Sequence, residues 1–213
     1  MSSRKLKRRM PGFVGIAAAV VLLAVSATQA ASVRNQNLTQ LISESQSIIE
    51  GTVKHVTDGI DENGIPYTEV TIFVRSSAKG EVGEEIDYTF RQFGLLRPRT
   101  MENGMRYLAV SPEGFASWNE GESVVAFLHK PASLTGLQTT AGMACGKLTR
   151  GNDLLANEFG NAGLFDGVEI ADGLLTPEEQ NMLTTPGAVD VEVFMNLVHR
   201  AVSEGWIENG EMQ

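Results

Sequence analysis

The sequence predicts a mainly β protein with flanking helices: a small antiparallel barrel of five to seven strands, followed by a C-terminal helical segment. Three observations predict it. In TEVTIFVR, Val70, Ile72 and Val74 alternate with Glu69, Thr71, Phe73 and Arg75, the period of two of a half-buried strand. Short apolar stretches before and after this one are separated by turn residues, such as Asp61, Glu62, Asn63 and Gly64, as in a barrel or sandwich. From Thr176 onward the apolar period changes to that of a helix.

Each element has its own justification. Leu38, Leu41 and Ile42 fall at i, i+3 and i+4, so Leu38–Ser45 reads as a short helix docked on the sheet. Ile48–Val56 is the first strand, and Gly51 within it marks a bulge or tight bend. Tyr67–Arg75 is the second strand, joined to the first by the polar turn. Glu84–Gln92 is the third, with Ile86, Tyr88 and Phe90 on one face. Met105–Val110 reads as a fourth. Glu122–Lys130 (ESVVAFLHK) is almost continuously apolar, which fits a strand covered on both faces. Further strands are expected at Gly142–Leu148 and Leu154–Glu158. Thr176-Pro177-Glu178-Glu179 carries an N-cap, a proline at N1 and a glutamate at N3. Asp190 caps a longer helix ending near Gly205, whose stripe is Val191, Phe194, Met195, Val198, Ala201 and Val202.

The first thirty residues have a different character. Arg4, Lys5, Lys7, Arg8 and Arg9 precede an apolar run from Phe13 to Ala27, and Thr28-Gln29-Ala30 supplies small residues for cleavage. This is the layout of a secretory signal, with cleavage expected after Ala30. The expected organisation is therefore 1–30 signal peptide, 38–158 β-barrel domain with a short N-terminal helix, and 159–213 loop and C-terminal helices packed on the barrel. Removing those five of the 17 basic residues leaves 12 against 26 acidic ones, a net charge of −14. Such a charge argues against nucleic acid and anionic membrane as partners. Cys145 is the only cysteine, so no internal disulfide can form. Export, an acidic chain and no staples point to a secreted or periplasmic bacterial protein, with no membrane insertion after signal cleavage.

Several pieces carry a resemblance: the helix LTQLISES, the strand Ile48-Ile49-Glu50-Gly51-Thr52-Val53, Lys79-Gly80, Gly121–Leu128 (GESVVAFL), and the terminal helix VDVEVFMNLVHRAV. Over Leu38–Thr149 and that helix, the chain resembles bacterial exported proteins of undefined function that share an "IVxGTV … KG … GExVVxFL" pattern. Their frequent Gly-Gly pair after the third strand is Phe93-Gly94 here. The layout is also similar to the OB-like barrel of netrin-like and metalloprotease-inhibitor (TIMP) domains. Those inhibitors insert an N-terminal cysteine into the protease metal site, and this chain has none near its expected mature N-terminus. The resemblance implies a fold and carries no function across.

His55, His129 and His199 show no HExxH or paired-His spacing. GMACGKLT (142–149) has three residues between its glycines where a phosphate loop needs four, and Leu148 where Ser or Thr must hold magnesium. The Asp58–Gly64 turn resembles a calcium loop, but its first and twelfth positions, Gly59 and Val70, offer no oxygen side chains; weak calcium binding by the acidic tip is left open. There is no GxSxG. Cys145, between Ala144 and Gly146, reads as a small core residue. No cofactor, metal ligand set or catalytic residue is expected. The function expected is a non-enzymatic exported module that binds a protein or cell-envelope component through the loops Phe93–Asn103 and Ser111–Glu120. The candidate contact residues are Leu95, Leu96, Phe115 and Trp118, with barrel-capping as their other reading. Two alternatives remain: an inhibitor or chaperone of a secreted protease, and a hydrolase whose pocket would be lined by His129, Cys145 and a carboxylate.

Overall fold

The structure is a computed structural model that describes residues 36–213, apart from Glu102 and Val110. The expected signal segment 1–30 and its cleavage position lie outside the described residues. The elements follow in the order α1 (Leu38–Glu44), β1 (Ser47–Ile60), β2 (Pro66–Lys79), β3 (Ile86–Phe93), β4 (Arg99–Thr100), β5 (Arg106–Tyr107), β6 (Ser123–Leu128), β7 (Lys147–Gly151), β8 (Leu154–Ala156), α2 (Pro177–Thr184), β9 (Val189–Asp190) and α3 (Val191–Ser203). Seven strands make one antiparallel sheet in the order β3-β2-β1-β6-β7-β8-β9, and β4 pairs only with β5. None of the described helices is long and apolar enough to cross a membrane.

This sheet is mainly β architecture with flanking helices, as expected, but it is not a closed barrel. Its run of paired strands ends at β3 on one side and at the two-residue β9 on the other. A strap from Leu137 to Ala141 runs between β6 and β3. The Gln138 amide donates to the Arg91 carbonyl of β3 at 2.7 Å, and the Ala141 amide to the Phe127 carbonyl of β6 at 2.7 Å. The buried Gln138 side chain donates to the His129 carbonyl and accepts from the Tyr88 hydroxyl. A single backbone hydrogen bond to β3 among the described residues does not make a ladder, so the barrel is not closed.

β1 holds the arrangement together. Its first half pairs with β6 and nearly its whole length with β2, with register shifts at Ile48/Ile49, Glu50/Gly51 and Val53/His55. A Cβ at Gly51 would lie 2.2 Å from the Phe73 carbonyl oxygen, so only glycine permits this approach.

Because strand side chains alternate, β6 feeds two cores at once. Val125 and Phe127 pack with Ile48 against α1 and α3, where Phe194 and Val198, with Trp206 just after α3, are fully buried. Val124, Ala126 and Leu128 face the opposite cluster of Ile49, Ile72, Phe90 and Trp118. The continuous apolar run in the sequence therefore reflects burial on both faces. Residues 164–212 complete the helix-side core.

Local chemistry sets the helix starts. Asn37 and Thr176 each form a reciprocal capping box with Gln40 and Glu179, and Asp190 caps α3 through the Val193 amide. Two expected strands are corrected. Gly142–Gly146 is not extended: Gly142 and Met143 have positive φ (62° and 59°), and a 3-10 turn runs from Met143 to Gly146 before β7 begins. Among the described residues of Met105–Val110, only the two-residue β5 is extended. Ile86, expected to face inward, is 46% exposed because β3 is an edge strand there.

Replacing Gly51 by alanine is expected to destabilise the protein by about 2 kcal/mol or more through backbone overpacking, read from urea melts. Thr57→Ala, farther along the same strand on an exposed site, is the control.

Candidate functional site

Beyond Val56 and Val70, which still belong to the second core, the paired ends of β1 and β2 form a ribbon, and Asp58 sits near the end of β1. Its side chain is 3% exposed. One carboxylate oxygen accepts the backbone amides of Leu96 (2.8 Å) and Arg97 (3.0 Å), and the other accepts from the Arg99 guanidinium. Arg99 also donates to the Asp58 carbonyl at 2.6 Å. Farther on, the Tyr107 hydroxyl donates to the Gly64 carbonyl at 3.3 Å. Within the hairpin, Met101 and Met105 pair through the backbone, and Asn103 Oδ1 accepts the Met105 amide. The β4–β5 hairpin is thus clamped to the β1–β2 ribbon at both of its ends.

Desolvation pushes the Asp58 carboxyl upward, but the Arg99 hydrogen bond, the Arg97 amide, the Arg99 charge and the Leu96 amide outweigh it. The pKa is held below the ordinary aspartate value. A lowered carboxylate pKa contributes stability that is fully present above the unfolded value and lost as pH falls through the folded one.

On this clamp the hairpin exposes large apolar side chains. Leu108 is 70% exposed, Met105 52%, Leu96 49% and Phe93 36%. Half of the eight large apolar residues exposed among the described residues lie in 93–108. Four arginines, Arg91, Arg97, Arg99 and Arg106, fall in the same stretch. Arg91 pairs with Glu69 at 2.7 Å and lies over the Tyr67 ring, and Arg99 pairs with Asp58.

The four residues singled out from sequence divide. Leu96 is exposed and Phe115 half-buried, while Leu95 and Trp118 are 3% and 5% exposed. Trp118 is a core residue. Its indole N–H donates to Gln92 Oε1 at 3.1 Å, and its ring meets Phe90 edge-on with centroids 5.3 Å apart. Sequence reasoning missed Met105, Leu108 and Arg106. The available signal was arginine density: four of the eight arginines beyond Ala30 lie within residues 91–106.

Other polar clusters are differently occupied. Lys147, 8% exposed, donates to Glu122 and to the Ser117 carbonyl and lies 5.2 Å from the Trp118 ring, at the side of a cleft of about 270 Å³. Desolvation raises the Glu122 carboxyl, but Lys147 and Asn119 bring it below its usual range. The Ser76 hydroxyl lies 3.0 Å from His199 Nε2 beside a cleft of about 440 Å³. Among the described residues no carboxylate is hydrogen-bonded to that imidazole, so the pair lacks the third group of a triad. His129 Nδ1 faces the Glu44 carbonyl. Cys145 is buried, and desolvation raises its thiol pKa, which disfavours the thiolate. Neither His129 nor Cys145 lines the two clefts named above. In the turn expected as an acidic tip, Asp61 Oδ1 accepts the Asn63 and Ile65 amides. No group of three or more His, Cys, Asp or Glu side chains gathers into a metal-holding cluster among the described residues.

Comparison with protein-family models, with curated proteins and with solved structures finds no match for this chain.

Asp58→Ala is expected to free the hairpin while leaving the core folded: amide exchange at Leu96 and Arg97 should rise strongly with little change at Val125 and Phe127. In the unsubstituted protein the same two amides should stay protected above about pH 4 and lose protection as pH falls below it. Lys147→Ala should cost about 3 kcal/mol, because a largely buried carboxylate loses its partner. The double substitution Glu122→Leu/Lys147→Met should recover much of that loss in the same denaturant melts.

Proposed function

We propose that this chain is an exported, non-enzymatic binding module that engages a protein or another component of the cell envelope through the 93–108 hairpin. The carrying observation is the pairing of exposure with rigidity. Large apolar side chains stand in solvent on a hairpin held by a buried carboxylate, and contiguous exposed apolar surface marks interaction sites. Loops mounted on a rigid scaffold commonly carry binding, and pre-ordering lowers the entropic cost of association. The Ser111–Glu120 loop has a supporting role: Ala116 and Trp118 sit in the core, and Glu120 accepts the Val56 amide. The strap between β6 and β3 supports an OB-like, netrin-like reading of the layout in an open form. An acidic chain with a signal-like N-terminus fits a secreted or periplasmic location.

A photo-crosslinking residue placed at Leu108 of the exported protein is expected to capture a discrete envelope component. The same residue at Leu134, 97% exposed and distant in sequence from the hairpin, should not. Capture at Leu108 should disappear when Leu96→Ser and Met105→Ser are introduced. Equal capture at both positions, or capture indifferent to those substitutions, contradicts the proposal.

A further inference from the structure

The hairpin's charge specifies its partner further. Arg91 and Arg99 are neutralised by Glu69 and Asp58. Arg97 and Arg106 are exposed, and their side chains make no ion pair or hydrogen bond among the described residues. Among the described residues, two unpaired positive charges therefore stand beside Leu96, Met105 and Leu108. The chain that carries them has a net charge of −9, or −14 without its first thirty residues.

We infer that the hairpin binds a short peptide segment carrying acidic side chains next to aliphatic or aromatic ones. The inference rests on the binding-module reading and deepens it. Guanidinium groups prefer carboxylates, which they meet in two-pronged hydrogen bonds, and the exposed leucine and methionine side chains supply an apolar contact between them. The size of the partner follows from the contrast between patch and body. At physiological ionic strength charges are screened beyond about 8 Å, so a short acidic segment feels mainly the two arginines. An extended anionic plane, such as a lipid surface, also meets the acidic remainder of the molecule, and the repulsion opposes docking. A narrow acidic strand satisfies both conditions.

A peptide display library panned against the exported protein tests this. The expected result is enrichment of sequences with Asp or Glu beside Leu, Ile, Phe or Trp. Synthetic peptides of the enriched sequence should bind Arg97→Glu/Arg106→Glu about tenfold more weakly, and their affinity should fall as salt rises. Peptides with lysine at the acidic positions should regain binding to that variant. Both arginine side chains are solvent-exposed, and an unchanged denaturant melt checks that the variant folds. Enriched sequences without acidic residues, equal binding by the charge-reversed variant, or no enrichment at all overturn the inference. So does binding to vesicles of phosphatidylglycerol in place of peptides. If Leu108 still crosslinks a partner in any of those cases, the binding-module reading stands and only the peptide assignment falls.

Discussion

The structure depends on β1 serving two partners at once. A fourteen-residue strand that pairs with β6 along its first half and with β2 along nearly all of its length must bend at the transition. The register shift between Glu50 and Gly51 provides the bend, and the absent side chain at Gly51 lets the Phe73 carbonyl approach. The inner half of β1 then lies between two cores, one built on α1 and α3 and the other on β2, β3 and Trp118. Hydrophobic burial on both faces of β1 and β6 anchors the centre of the molecule, and β1 is released from core packing only beyond Val56.

That release explains the geometry of the candidate site. Beyond Val56 the burial along β1 is mostly partial. The side chain of Asp58 is nonetheless covered, because the loop that crosses it occupies both of its oxygens. Burying a carboxylate is unfavourable unless it is paired and hydrogen-bonded, and here Arg99 and two amides meet that requirement. The clamp orders a hairpin whose apolar residues face solvent.

Much of the fold was legible because its signals are local. The alternation in β2, the burial of β6 on both faces and the three helices, two of them with the expected caps, depend on neighbours within a few residues, and all appear where expected. Misplaced features depend on partners distant in sequence. Trp118 reads as a loop residue until Gln92 and Phe90 are brought to it. The 142–146 segment has the composition of a strand, yet left-handed backbone at Gly142 and Met143 turns it, and Gly146 is required because a Cβ there would lie 1.9 Å from the Ala141 carbonyl oxygen. The expected barrel remains open because the Gln138 strap replaces a paired strand. Of the candidate site, the 93–103 loop was found from its composition, with Leu96 exposed. Met105 and Leu108 were read as part of a strand, because nothing local shows that Asp58 of β1 anchors a separate β4–β5 hairpin.

Hydrogen exchange on the exported protein, with and without envelope extract, addresses the role of the hairpin most directly. Added protection confined to residues 93–108, and absent when Leu96→Ser and Met105→Ser are both introduced, is the expected result. Protection appearing instead around Lys147 and Glu122, or around His199 and Ser76, with the hairpin unchanged, would contradict it.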